Sequence, residues 1–110
     1  MKVEQRGPIT IIKNTQCSTK EFYQKLQHEY NSFKTQNLII DLSHDKAITI
    51  KDINLFLEIV KSHSKLKKSL VFVTDVINFN DVSERITVVP TILEAHDIIE
   101  MEEIERDLGF

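Results

Sequence analysis

Apolar residues in the middle of the chain occur in two nearly continuous runs, at residues 38–42 (Leu-Ile-Ile-Asp-Leu) and 70–74 (Leu-Val-Phe-Val-Thr). Such runs are typical of strands covered on both faces, as the central strands of a parallel sheet are. Residues 51–63 between them have the length of a helix, so this strand, helix and strand predict a right-handed crossover. A further strand is predicted at residues 86–89, and Pro90 ends it.

The start of the chain combines a turn signal with a helix start signal. Residues 2–5 and 9–13 flank Arg6-Gly-Pro8, and this arrangement predicts an antiparallel pair of strands. Ser18 and Glu21 form a capping-box pattern, in which each side chain satisfies an exposed amide at the start of a helix. The helix that they open has its apolar side chains on one face: Phe22, Leu26, Tyr30 and Phe33.

The end of the chain predicts one long acidic helix, over about residues 91–108. Thr91 and Glu94 form a second capping box, and Gly109 closes the segment. Between them an apolar residue recurs every three or four positions. This stripe consists of Ile92, Ala95, Ile98, Met101, Ile104 and Leu108. We expect the stripe to pack as core through Ile98, and its last three residues to extend beyond the domain edge.

Together with a short helical or irregular piece at residues 78–85, these segments predict the order two strands, helix, strand, helix, strand, short helix, strand, helix. The expected fold class is therefore α/β, with a mixed, largely parallel sheet of four to five strands and about four helices. At 110 residues the chain has room for one domain, over residues 1–110, and for one core.

The composition indicates an ordinary globular protein, with 41% hydrophobic and 28% charged residues. No apolar run approaches the roughly 18 to 20 residues that span a bilayer, so no membrane is expected as a partner. The first residues lack the apolar core of a signal peptide. Cys17 is the only cysteine, which excludes a disulfide within the chain and makes the cytoplasm the simplest location.

The net charge of −3 conceals a local asymmetry. Residues 94–110 carry seven acidic residues against Arg106, a balance of −6, so residues 1–93 sum to +3. The basic residues are dense in one cluster: Lys61, Lys65, Lys67 and Lys68. No arginine or aromatic residue is interleaved with these lysines, so a solvated helix end is favoured over a nucleic-acid surface, and nucleic acid is not expected as a partner.

Few residues could carry chemistry. Two adjacent pairs, His44-Asp45 and His96-Asp97, are similar to pieces of metal-binding hydrolase motifs, with solvent-exposed histidines as the alternative. Neither pair belongs to a dense cluster of ligands, and Cys17, just before a predicted helix, has no His or Cys partner predicted beside it. We therefore expect no catalytic residues, no metal site and no enzyme activity.

A phosphate-binding loop is not expected, because Gly7 and Gly109 are the only glycines. Polar residues after the predicted strands leave one alternative open, a small ligand held by side chains at the carboxyl edge of the sheet. The candidates are Asp41, Ser43, Thr74 and Asp75. We favour the interpretation that they only terminate buried strands, so no cofactor is expected.

In order and spacing, the predicted segments resemble the STAS family, the fold of anti-sigma-factor antagonists and of the cytoplasmic tails of sulfate transporters. The resemblance covers nearly the whole chain and is carried by residues 38–42, 51–61, 70–73 and 86–95. It implies an anti-sigma-factor antagonist-like protein, in which the start of the second helix binds another protein.

The STAS resemblance also implies a switch that this chain lacks. The family's best-known members have an Asp-Ser-Ser-Gly motif at the start of the second helix, where a partner kinase phosphorylates a serine. That motif falls on Thr49-Ile-Lys-Asp52, so Ile50 and Lys51 occupy the serine positions. Thr49 is the remaining candidate for modification, and its alternative role is a helix N-cap completed by Asp52.

We therefore expect a non-catalytic interaction module that docks another protein through the start of this helix. The predicted partner-binding residues are Ile48, Thr49, Ile50, Lys51, Asp52 and Leu55. An apolar surplus supports this, since six of the eight residues 53–60 are apolar, although the sheet and a neighbouring helix could cover them. A homodimer through Met101, Ile104 and Leu108 is also expected, with the acidic last helix against the lysine cluster of a neighbour.

The chain is also similar to a group of short bacterial proteins with a tail like residues 100–110, Glu-Met-Glu-Glu-Ile-Glu-Arg-Asp-Leu-Gly-Phe. Some members of that group carry the label ribonuclease Z. This resemblance implies an alternative function, as an accessory factor in RNA processing or a small hydrolase. A metal-dependent ribonuclease of the β-lactamase fold needs an HxHxDH cluster with further distant ligands, and this sequence has no such cluster.

Overall fold

The computed structural model describes residues 1–109 as a five-stranded sheet with helices on both faces. The strands lie side by side in chain order. They are β1 (Lys2–Arg6), β2 (Ile9–Lys13), β3 (Asn37–Asp41), β4 (Leu70–Val73) and β5 (Thr87–Val89). The first two strands pair antiparallel, and all later pairs are parallel. The predicted α/β class, with a mixed and largely parallel sheet, is confirmed.

A tight turn joins β1 to β2. Gly7 has a φ of 59°, in the left-handed region, and Pro8 follows it directly. A glycine at the first central position and a residue with negative φ at the second are the requirements of a type II′ turn, whose twist matches that of a hairpin. The register places Arg6 opposite Ile9, so the turn signal in the sequence fixes this hairpin.

The helices divide between the two faces of the sheet. They are α1 (Thr19–Glu29), α2 (Ile50–Asn54), α3 (Leu57–Lys65) and α4 (Ile92–Asp107). Leu38 and Ile40 point to the face that α1, α2 and α3 cover, while Ile39 points to the face that α4 covers. This alternation explains why β3 is buried along its whole length. None of the helices within residues 1–109 is both long and apolar enough to cross a membrane.

One predicted helix differs from the observed structure. The single helix expected at residues 51–63 is interrupted between α2 and α3, because the N–H groups of Leu55 and Phe56 bond to carbonyls three residues back, Asp52 at 3.2 Å and Ile53 at 3.1 Å. These tighter bonds break the α-helical ladder for one step. The short helical or irregular piece expected at residues 78–85 contains a 3₁₀ turn, Phe79–Asp81.

Phe56 fills the centre of the larger core, in the break between α2 and α3. Its side chain has no solvent exposure, and its ring makes edge-to-face contacts with Tyr23 and Phe72, each at a centroid distance of 5.0 Å. Such aromatic pairs contribute about 0.5 to 1.5 kcal/mol beyond the area that they bury. Because Tyr23 is on α1 and Phe72 on β4, the three rings connect α1 and the α2–α3 segment to the sheet.

The final helix contacts β3, β4 and β5 through a face that only partly follows the predicted stripe. Ala95 and Ile99 are its buried residues, while Ile92 and Ile98 are half-buried. Residues spaced by three turn about 60° around a helix at each step, so the predicted stripe rotates away from the sheet. Its last three residues are accordingly exposed: Met101 61%, Ile104 58% and Leu108 66%.

The C-terminal half of α4 does not extend beyond the domain edge, contrary to expectation. Its inward side contacts the start of β3 and the residue before β4. Asn37 donates a hydrogen bond to the Glu103 carboxylate. Arg106 donates to the hydroxyl of Ser69 at 3.1 Å and to Asn37 Oδ1 at 3.5 Å. The helix is therefore held at the amino edge of the sheet by polar contacts that its apolar pattern did not indicate.

Candidate functional site

The carboxyl ends of the four parallel strands lie along one edge of the sheet, where α/β proteins commonly bind ligands. Asp41, Thr74 and Val89 mark this edge. The loop of residues 42–49 leaves it and leads into α2. The predicted docking face at the start of α2 therefore lies beside this edge. The conformation of the loop determines which side chains of that face are exposed to solvent.

Asp45 anchors this loop to the start of α1. Its Oδ2 accepts hydrogen bonds from the backbone N–H and the hydroxyl of Thr19, both at 2.9 Å, and its Oδ1 accepts from the N–H of Ala47 at 3.0 Å. The carboxylate thus accepts a hydrogen bond from an amide in the first turn of α1, and its negative charge interacts favourably with the positive end of the helix dipole. Asp45 has a structural partner 26 residues away in sequence, which its adjacency to His44 did not indicate.

The hydrogen bonds of Asp45 also set its charge state. Partial burial alone raises the pKa of this carboxyl. The hydrogen bonds from Thr19 and Ala47, and the charge of His44, oppose burial and together hold the pKa of Asp45 below its ordinary value. The carboxylate is therefore ionised at neutral pH and suited to holding the loop.

The other polar groups at this edge bond to residues of their own or the neighbouring loop. Asp41 accepts from the N–H and the hydroxyl of Ser43, at 3.0 Å and 2.6 Å. Thr74 Oγ1 accepts from the N–H of Val76 at 3.4 Å. Asp75 pairs with Lys46 at 3.3 Å, which connects the loops after β3 and β4. This bonding agrees with the interpretation that these residues terminate buried strands.

Thr49 forms the N-cap of α2 in a complete capping box. Its Oγ1 accepts from the N–H of Asp52 at 3.4 Å, and the Asp52 carboxylate accepts from the N–H of Thr49 at 2.9 Å. The Thr49 hydroxyl also donates to that carboxylate at 3.2 Å. The N-cap role that the sequence offered for Thr49 is confirmed, while its modification stays a prediction.

The six predicted partner-binding residues differ in accessibility. Thr49 and Lys51 are exposed, and Ile50, Asp52 and Leu55 are half-buried. Ile48 has only 4% exposure and packs in the core. We call the five accessible residues the α2 face: Thr49, Ile50, Lys51, Asp52 and Leu55. Binding of a partner by this face stays a prediction.

The apolar surplus of residues 53–60 is largely explained by packing. The sheet and α1 leave four of its six apolar residues buried: Ile53, Phe56, Ile59 and Val60. Leu55 and Leu57 are half-buried and pack against the same core. The surplus therefore supports a docking surface only through Leu55 and Leu57, which is less than the sequence pattern indicated.

His63 is a buried polar residue to which the sequence reasoning assigned no role. Its side chain has no solvent exposure, its Nε2 donates to the carbonyl of Gln36 at 2.7 Å, and its Nδ1 accepts from the Tyr30 hydroxyl at 2.7 Å. Burial lowers the pKa of His63 and the charge of Lys68 lowers it further, against the opposing effect of the Gln36 bond. Its spacing from Ile59 and Val60 was the signal that places it on the buried face.

The two His-Asp pairs lie on different elements. His44 is exposed in the loop before α2, whereas His96 is half-buried on α4. Within residues 1–109, no three or more His, Cys, Asp or Glu side chains are grouped so that they could hold a metal ion. Cys17 is half-buried, and its thiol lies 3.4 Å from Asn14 Oδ1 in the turn before α1.

Comparison of the chain with models of known protein families and with curated proteins finds no match. The resemblance to the STAS family stays a prediction from the order and spacing of the predicted segments.

Proposed function

We propose that this protein is a non-catalytic, STAS-like interaction module that binds another protein through the α2 face. The chain-order sheet, with one antiparallel strand followed by parallel ones, supports the STAS-like assignment. The position of the α2 face beside the carboxyl edge supports the choice of surface, because loops on a rigid scaffold commonly carry binding residues.

The accessible and fixed start of α2 is the observation that carries this proposal. The Asp45–Thr19 hydrogen bonds fix the loop before the helix, and the capping box fixes its first turn. Half-buried Ile50 and Leu55 lie beside the exposed Lys51, so the face combines apolar area with a charge. A preformed surface of this kind loses little conformational entropy when a partner binds.

The proposed module is without the family's serine switch. Ile50 and Lys51 stand in the serine positions, and neither side chain can accept a phosphoryl group in the way that serine does. Intact mass of the protein isolated from its native cells tests the remaining route, because a phosphorylated Thr49 would add the mass of one phosphoryl group.

Affinity capture with Lys51→Glu tests the docking face. Lys51 is exposed and takes no part in the capping box, so charge reversal should weaken capture of the specific partner with little change in thermal stability. Lys20→Glu, on the exposed side of α1, is the matched control and should capture as the wild type does. Equal capture by all three proteins would refute the proposal. Asp52 is unsuitable for this test, because its substitution also removes the cap.

A role in RNA processing, or as a small hydrolase, is the alternative function. Incubation of the protein with precursor transfer RNA, with and without zinc or manganese, distinguishes the two. Cleavage or specific retention of that RNA would favour the alternative. Absence of both would leave the interaction module.

We also propose that the protein self-associates through Met101, Ile104 and Leu108. Their exposures of 61%, 58% and 66% support this, because three large apolar side chains on one helix face are costly to leave in water. Sedimentation of the wild-type protein at low salt checks this, and a strict monomer at high protein concentration would contradict it.

A further inference from the structure

Two oppositely charged surfaces lie next to each other at the amino edge of the sheet. The first is the outer side of α4, where Met101, Ile104 and Leu108 recur at helical spacing and are exposed. On a helix, residues three and four apart are neighbours, so this apolar row is flanked by acidic side chains. We call these six residues the acidic strip: Asp97, Glu100, Met101, Ile104, Glu105 and Leu108.

The second surface forms around the end of α3. An open groove of about 540 Å³ is lined by Lys67 and Lys68 on one side and by Glu102, Glu105 and Arg106 of α4 on the other, and a second of about 460 Å³ adjoins it at Ser64. We call the two grooves together the basic cleft. Its cations are Lys61, Lys65, Lys67, Lys68 and Arg85. Arg85 precedes β5 and is brought to the lysines only by folding.

The backbone at the end of α3 positions two of these lysines. Lys67 has a φ of 60°, in the left-handed region, and its N–H bonds to the carbonyl of Ser64 while that of Lys68 bonds to the carbonyl of His63. This is a Schellman motif, in which glycine usually occupies the left-handed position. The turn directs the chain from α3 into β4 and places Lys67 and Lys68 along the groove.

The cations of the basic cleft form no ion pair within the part of the chain that the structure describes, although Glu102 and Glu105 line the same groove. None of the five lies within 4.0 Å of a carboxylate oxygen of residues 1–109. Apolar surface adjoins them, since Leu66 is 47% exposed and Val60 lines the second groove. A cleft that is both basic and apolar fits an acidic, apolar helix face better than a bare polyanion.

We propose that the occupant of the basic cleft is the acidic strip of a second copy of this chain. The strip supplies acidic side chains that can pair with the cations of the cleft and apolar side chains that can cover its exposed apolar surface. Two strips could not pair with each other, because both carry acids and Arg106 is turned inward to Asn37 and Ser69. Like charges would then face each other across the contact.

Because the acidic strip and the basic cleft share a border, the assembly that they form is a closed dimer. Glu105 flanks the strip and also lines the groove of the same molecule. With strip and cleft adjacent, one two-fold rotation can place each strip on the other copy's cleft, so that both contacts form at once and the assembly closes as a dimer. This inference rests on the proposed self-association and adds where the strip binds.

A charge-swap experiment tests the pairing. The cleft variant is Lys61→Glu with Lys65→Glu, and the strip variant is Asp97→Lys with Glu100→Lys; all four positions are exposed. In each variant alone, the two substituted side chains would face like charges at both contacts, so we expect its dimer dissociation constant to rise by about tenfold or more. In an equimolar mixture, the substituted lysines of one copy's strip meet the substituted glutamates of the other copy's cleft, and the remaining contact is the wild-type one, so dimerisation should return.

Sedimentation velocity provides the readout, at about 0.05 M and about 0.5 M salt, where screening differs strongly. Lys20→Glu with Lys25→Glu on α1 makes the same charge change outside both surfaces and should dimerise as the wild type does. Circular dichroism checks that every variant is folded. The wild type should be dimeric at low salt and dissociate at high salt.

The remaining outcomes separate the two ideas. A wild type that is monomeric at low salt overturns self-association and the pairing together. A wild-type dimer that the cleft variant leaves intact overturns the pairing and leaves self-association standing, as does a mixture of the two variants that stays monomeric. A monomer whose cleft retains a labelled polyuridine strand or a polyglutamate peptide assigns the cleft to another anion and also overturns the pairing.

Discussion

The ring of His63 is held in one tautomer by its two hydrogen bonds. Nε2 must carry the proton because it faces the carbonyl of Gln36, which leaves Nδ1 to accept from Tyr30. A second ring proton would have to sit on Nδ1, where the Tyr30 hydroxyl already donates. Burial disfavours that charge as well, so the pKa of His63 is lowered from 6.5 and the pKa of Tyr30 is raised by its own burial.

We predict that this buried histidine makes stability depend on pH. Between the native pKa of His63 and its ordinary value of 6.5, the unfolded chain binds more protons than the native one. The free energy of unfolding should therefore be highest above about pH 6.5 and fall as the pH decreases below it. Urea unfolding at about pH 7.5 and about pH 5.5 measures the difference.

Two substitutions make that prediction specific to His63. His63→Gln should lower the free energy of unfolding by about 1 to 3 kcal/mol at neutral pH, since a buried carbonyl or hydroxyl loses its partner. It should also flatten the pH dependence. His28→Gln replaces an exposed histidine and should retain the wild-type curve. Equal pH dependence in the wild type and His63→Gln would contradict the assignment.

At the scale of elements, α2 depends on its first turn. The helix has only five residues. It therefore forms few backbone hydrogen bonds to offset the conformational entropy that is lost when a helix nucleates. The capping box supplies bonds at Thr49 and Asp52 that the helix cannot make for itself. The tight turn at Leu55 then passes the chain directly to α3. The α2 face is therefore positioned by its cap and by Phe56 beneath it.

We predict that Asp52→Ala lowers the free energy of unfolding by about 0.5 to 2 kcal/mol, as loss of a cap does. Thr49→Ala should have a similar effect, and the double substitution should cost less than the sum, because both residues belong to one box. Lys51→Ala is the control and should be nearly neutral. Urea unfolding of the four variants measures this, and strictly additive losses would show that the two bonds are independent.

Local signals in the sequence found those parts of the fold that depend on near neighbours. The hairpin at Gly7, the cap at Thr49 and the start of α4 at Thr91 each follow from residues within three positions. The buried strands follow from their own apolar runs. The interruption of the helix at Leu55 did not follow, because the two 3₁₀ bonds that cause it leave no mark on the apolar pattern.

Contacts between distant segments could not be predicted from the sequence. Asp45 bonds to Thr19 across 26 residues, and Arg85 joins the lysines of α3 only when β5 lies beside β4. The phase of α4 was misjudged for a related reason. Both sides of that helix carry apolar residues, and only the position of the sheet decides that Ile99 is buried while Met101 is exposed.

At the scale of the whole molecule, the sheet separates two unequal cores. Three helices cover one face, whereas α4 alone covers the other and buries only Ala95 and Ile99 completely. Apolar burial of that size holds a helix weakly. The polar contacts at the amino edge add to it, since Asn37 is 1% exposed and accepts from the N–H of Ser69 at 2.9 Å while it donates to Glu103.

We predict that Asn37→Ala loosens the end of α4 more than any other helix. The substitution leaves the buried N–H of Ser69 without its acceptor and removes the donor to Glu103, which should lower the free energy of unfolding by about 1 to 3 kcal/mol. Amide exchange should quicken over residues 103–108, because that segment loses its contacts to Asn37 while Ala95 and Ile99 still hold the first turns. Asn54→Ala, on the exposed side of α2, is the control. Exchange that quickens equally in α1 would show global destabilisation and would contradict a local role of Asn37 in holding the end of α4.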